Sequence, residues 1–73
     1  MKAVFFKDSQ GRLRCRLEPL GVTKPVESRD GRRYNWAKVF GLFPHRTGWP
    51  IDIYHRLQNA QSGETIELPP IRR

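Results

Sequence analysis

Residues 12 to 17 alternate strictly, with arginine at Arg12, Arg14 and Arg16 and small apolar side chains at Leu13, Cys15 and Leu17. Successive side chains of an extended strand point to opposite faces, so this spacing predicts a strand with one cationic and one apolar face. A helix would scatter the same arginines around its circumference. Leu13, Cys15 and Leu17 form the expected buried side, and the arginines stand in a row about 6 to 7 Å apart. Lys2 to Phe6 is a second β-favouring run, and Lys7-Asp8-Ser9-Gln10-Gly11 supplies turn chemistry between the two, which predicts a hairpin.

Glu18-Pro19-Leu20-Gly21 interrupts the pattern, and a further extended run follows from Val22 to Glu27, with Pro25 pushing it toward a sheet edge. Asp30-Gly31 is a strong two-residue hairpin signal, leading into a predicted strand from Arg32 to Phe40. A tight turn there sets Glu27 opposite Tyr34 and Pro25 opposite Trp36. Val22, Val26, Ala37 and Val39 then share one face, and Tyr34, Trp36 and Lys38 the other, where they form a contact surface. The alternative puts Tyr34, Trp36 and Phe40 in the core, since a chain with so small a core needs its aromatics inside. Gly41 to Gly48 reads as a connector. Ile51, Ile53, Tyr54, Leu57 and Ala60 recur at helical spacing behind Pro50, predicting a helix over about 50 to 60. Glu64 to Leu68 alternates again as a last strand, stopped by Pro69-Pro70, and residues 69 to 73 are expected to fray. The whole reads as one α+β domain, a small antiparallel β-sheet of four to five strands with one covering helix. A partly open small barrel is the alternative.

Charge adds a partner class to this outline. The 73 residues carry a net charge of +7, and so basic a chain meets nucleic acid, an anionic membrane or an acidic protein surface. The excess lies in residues 1 to 48, which hold eleven basic and four acidic side chains, against three of each in residues 49 to 73. Cys15 is the lone cysteine, so no internal disulfide forms, and a reducing, cytoplasmic compartment fits best. No apolar run is long enough for a signal or a membrane span.

Catalytic chemistry is not legible. No phosphate-cradling or dinucleotide loop is present, Cys15, His45 and His55 lack metal-ligand spacing, and Asp52 with His55 reads as a surface pair on a helix. A non-enzymatic protein without metal or cofactor is therefore expected. Two binding modes fit the surface. Single-stranded nucleic acid would meet the arginines through its phosphates and stack bases on Tyr34 or Trp36. An acidic patch on a protein that handles nucleic acid would use the same arginines and aromatics as interface anchors. In either mode the expected contact residues are Arg12, Arg14, Arg16, Arg29, Arg32, Arg33, Tyr34, Trp36 and Lys38.

From Met1-Lys2-Ala3-Val4 to Ile71-Arg72-Arg73 the chain looks like a complete small viral gene product. In length and basic character it resembles the small transcription regulators encoded by lytic bacteriophages. No motif aligns, so no residue role transfers. The resemblance implies a monomer that works in the host cytoplasm on an acidic surface of the host RNA polymerase, near sigma or the RNA exit path. It implies inhibition of transcription initiation, antitermination, or both. Inhibition of another nucleic-acid-processing host protein is a further possibility under the same surface logic.

Overall fold

The computed structural model describes residues 1 to 71. The expected hairpin forms. Strands β1 (Lys2–Lys7) and β2 (Leu13–Glu18) pair antiparallel, from Lys2 opposite Glu18 to Lys7 opposite Leu13. Asp8 builds the turn between them, accepting the backbone N–H groups of Gln10 and Arg12 on one carboxylate oxygen, each at 2.9 Å. Strand β3 (Val22–Pro25) pairs antiparallel with β2, and β4 (Thr65–Glu67) with β1, giving the order β3-β2-β1-β4. Pro25 thus lies on an edge strand, where its missing N–H costs no ladder bond.

The segment from Arg32 to Phe40, read as a strand, is instead a helix over most of its length. The 28–31 turn exists, but only one bridge follows it, Glu27 to Arg33, one residue out of the expected Glu27–Tyr34 register. The chain then turns into helix α1 (Trp36–Phe40). Asn35 caps it, its side-chain oxygen accepting the Lys38 N–H at 3.1 Å, and Gly41 ends it in the left-handed region at φ 69°. An N-cap Asn and a terminating Gly bracketing five residues outweigh the β-propensity of Val39 and Phe40. The expected connector also contains a short helix, α2 (Pro44–Thr47), started by Pro44 and closed by Gly48 at φ 71°. Helix α3 (Ile51–Asn59) falls where the periodicity placed it, with Pro50 at its N-cap. Three helices therefore stand where one was expected.

These elements close one core. Ala3, Phe5, Leu13, Cys15, Leu17, Ile66 and Leu68 from one sheet face meet Val26, Trp36, Ala37, Trp49, Tyr54, Leu57 and Ala60. Trp36 is its centre, 2% exposed, with its Nε1–H donated to the Cys15 Sγ at 3.4 Å and its ring 4.9 Å from Phe40, 6.3 Å from Trp49 and 6.5 Å from Tyr54. The aromatic-core alternative thus holds for Trp36, whereas Tyr34 stays 39% exposed. Ile51, on the expected apolar stripe of α3, is 60% exposed. Pro69 is tied into the fold, its carbonyl accepting the Trp49 Nε1–H at 2.8 Å, while residues 72 and 73 of the expected frayed tail lie outside the described residues.

Candidate docking surface

The helices pack on the side of the sheet that carries Ala3, Phe5 and Cys15, and among the described residues the other face is open. Directly paired residues share a face, so the register assigns that open side. Phe6 lies beside Arg14 and Pro25, and Val4 beside Arg16, with Thr23 and Thr65 outside them. Lys2, Glu18 and Glu67 complete a third row. Val4 and Phe6 are half-buried, yet neither belongs to the core nor to the side chains packed against it. The result is a small apolar patch with Arg14 and Arg16 beside it on the same face.

Both arginines are held from behind. Arg14 donates its Nε–H to Asp8 at 2.8 Å, and Arg16 donates its Nε–H to Glu18 at 3.2 Å. The Arg16 guanidinium also sits 5.5 Å from the centroid of the Phe6 ring, within cation–π range. Among the described residues the terminal nitrogens of both guanidiniums make no hydrogen bond, and the side chains are 37% and 41% exposed. Each therefore offers its Nη edge to solvent at an orientation fixed by its Nε. The Asp8 carboxyl is held below the ordinary carboxylate range, first by the Arg12 backbone N–H and then by the Arg14 side chain, so it stays a charged anchor. Glu18 also lies 3.8 Å from the Lys2 Nζ, so it links the Lys2 and Arg16 charges across two neighbouring rows.

The other expected contact residues part into two groups. Arg12 points its Nε–H at the Glu27 carbonyl, 2.6 Å away, and an Nη2–H at the Tyr34 hydroxyl at 3.2 Å, so it staples the 28–31 turn to the hairpin. Arg33 reaches across the molecule to donate to the carbonyls of Ala60 at 2.8 Å and Leu57 at 3.2 Å, closing the C-terminal end of α3. Trp36 is buried and cannot touch a partner, which corrects its place on the expected surface. These three residues serve the fold. Arg29 and Arg32 remain exposed on the turn, where Arg32 has only a loose pair with Asp30 at 3.8 Å. Tyr34 is exposed beside Arg12, but its carbonyl accepts from Gln58 and fixes its backbone. Lys38 is exposed on α1, in the helical layer, so it does not share the open sheet face with Arg14 and Arg16.

Reading by alternation from Arg12 onward overlooked Val4, Phe6 and the carboxylates behind the arginines. A signal for the first two was present. Ala3-Val4-Phe5-Phe6 does not alternate polar with apolar, so a strand made from it must show apolar side chains on both faces.

Cys15 is wholly buried, and burial pushes its thiol up from the ordinary value, which makes it a packing residue rather than a nucleophile. Among the described residues no three His, Cys, Asp or Glu side chains cluster to hold a metal ion, and no helix is long and apolar enough to cross a membrane. No protein-family model matches the chain, and comparison with curated proteins and with solved structures likewise gave no match.

Proposed function

We propose that this is a non-enzymatic binding protein that docks through the open face of its sheet on an acidic protein surface. The observation that carries the reading is the pair Arg14 and Arg16, each fixed by a carboxylate at Nε and, among the described residues, free at its Nη edge, beside the half-buried Phe6 and Val4 outside the core. Arginine and aromatic side chains around a small apolar patch are the usual energetic centre of a protein interface. The partner that the resemblance to small phage regulators supplies is the host bacterial RNA polymerase, met in the host cytoplasm. Docking there would inhibit initiation or alter termination by occlusion, without a chemical step. Stacking of nucleobases has weaker support, because Trp36 is in the core and the half-buried ring on the open sheet face, Phe6, has Arg16 over it.

The test is recovery of RNA polymerase from nuclease-treated bacterial lysate on the immobilised protein, compared with the double variant Arg14→Gln, Arg16→Gln. Stoichiometric recovery by the native chain and its loss in the double variant is the expected outcome. An eluate without polymerase removes that partner. Equal recovery by both proteins removes this face.

A further inference from the structure

The two arginines do more than add positive charge, because their spacing and their fixed orientation select the shape of the anion. We infer that the open face reads an extended acidic peptide whose carboxylates alternate along the chain, one engaging the Nη edge of Arg14 and the next that of Arg16. This rests on the reading of the open face as a protein-docking surface and names the chemistry of its partner. Arg14 and Arg16 are two residues apart on β2, so their backbone origins are about 6.8 Å apart, the repeat at which any extended peptide presents side chains on one face. A planar guanidinium meets a carboxylate through two parallel N–H groups, and here the Nη edges are the ones left open. The half-buried Phe6 and Val4 beside them displace water and strengthen the contact.

Asp8 and Glu18 have a role that their charge alone does not predict. By simple charge attraction they repel an acidic ligand and weaken its binding. As anchors on Nε they hold the guanidiniums in the receiving geometry, so side-chain freedom is lost before the ligand arrives. They are positioning residues. The same carboxylates, with Glu67 on the rim, oppose a nucleic acid strand, whose charges recur at every step, whereas a peptide can set neutral residues opposite them.

Fluorescence anisotropy of two labelled peptides of identical composition tests this, one alternating two glutamates around a single threonine with neutral residues on either side and one with the two glutamates adjacent, alongside a labelled oligothymidylate. The alternating peptide is expected to bind several-fold tighter than the clustered one. Arg14→Gln and Arg16→Gln are each expected to weaken it about tenfold, the scale of a lost charge-assisted contact. The deciding variants are Glu18→Met and Asp8→Asn. The second keeps a side-chain oxygen for the turn and loses the acceptor for Arg14. Both are expected to weaken the alternating peptide although each removes a negative charge, with circular dichroism confirming an unchanged fold. Tighter binding by both variants overturns the inference, and so does equal affinity for the two peptides. Tighter binding of the oligothymidylate than of either peptide transfers the face to nucleic acid and overturns it as well. If the native chain recovers no polymerase but still prefers the alternating peptide, the peptide inference stands and the polymerase reading alone fails.

Discussion

Arg33 and Arg29 are indistinguishable as basic residues flanking a turn, but the structure assigns them opposite consequences. Arg33→Ala removes two charge-assisted hydrogen bonds that satisfy carbonyls at the end of α3, Leu57 and Ala60, where a helix leaves its last C=O groups without partners. Bonds to a charged group contribute about 1.5 to 3 kcal/mol each. Two effects reduce the sum. Among the described residues the buried Arg33 Nε has no partner, so the native residue already carries one unsatisfied donor, and water can reach part of the helix end once the side chain is gone. A net loss of about 2 to 3 kcal/mol follows. A 73-residue domain has a total stability of roughly 4 to 11 kcal/mol, so this loss is a large fraction of the whole.

Thermal unfolding followed by circular dichroism reads the difference directly. At about 4 to 8 °C per kcal/mol for a domain this size, Arg33→Ala lowers Tm by on the order of 10 to 20 °C. Arg29→Ala, with an exposed side chain, stays within about 4 °C of the native chain. Arg33→Lys falls between, because a single ammonium cannot span both carbonyls in the fork geometry of a guanidinium. Matching melting points for Arg33→Ala and Arg29→Ala would refute the assignment of Arg33 to the fold and return it to the surface.

Trp36→Ala removes the ring that joins Cys15 to the aromatic cluster and is expected to cost about 3 to 5 kcal/mol, leaving a poorly dispersed NMR spectrum; a native-like spectrum would place Trp36 outside the core. Asp8 is held below its unfolded pKa by the Arg12 N–H and Arg14. Its contribution is therefore fully present above the unfolded value of about 3.9 and is lost as pH falls through the folded value. Urea midpoints between pH 7 and pH 2.5 should fall less for Asp8→Asn than for the native chain, and parallel profiles would show that Asp8 is not an anchor. Burial raises the Cys15 pKa, so the unfolded thiol ionises first and stability declines as pH rises above about 8.5. Its labelling by a disulfide reagent should be slow and accelerate with added urea, whereas fast labelling of the native protein would contradict its burial.

The hairpin, its faces and α3 were legible because each rests on a period. Alternation placed Leu13, Cys15 and Leu17 inside, and the three-and-four spacing of Tyr54, Leu57 and Ala60 placed α3 against them. The 35–41 segment failed for a physical reason. A five-residue helix is too short to show a period, so its evidence lies in the caps, Asn35 and Gly41, while Val39 and Phe40 carry β-propensity that is spread over several residues and easier to see. The roles of Arg12 and Arg33 were not legible at all. Arg33 finds its partners 24 and 27 residues away, and only tertiary packing brings the α3 carbonyls within its reach.

That separation divides the cations by the step of binding each can affect. Arg29, Arg32 and Lys38 are exposed and have at most a loose ion pair among the described residues, so on the proposed docking reading their charge is expected to act at a distance, to be screened by salt and to raise the rate of encounter. On the proposed docking reading, Arg14 and Arg16 are held by their carboxylates beside the half-buried Phe6 and Val4, so loss of either is expected to act after contact and to appear as faster dissociation. Replacing Arg12 together with these two mixes binding with stability, because its bond to the Glu27 carbonyl staples the turn. The row of three arginines that the alternation draws on one face is thus one residue that serves the fold and two that, on the proposed docking reading, meet the partner. The parity of the strand puts all three on the same side, and only the partner of each Nε separates them: a turn carbonyl for Arg12, and a carboxylate that leaves the recognition edge free for Arg14 and Arg16.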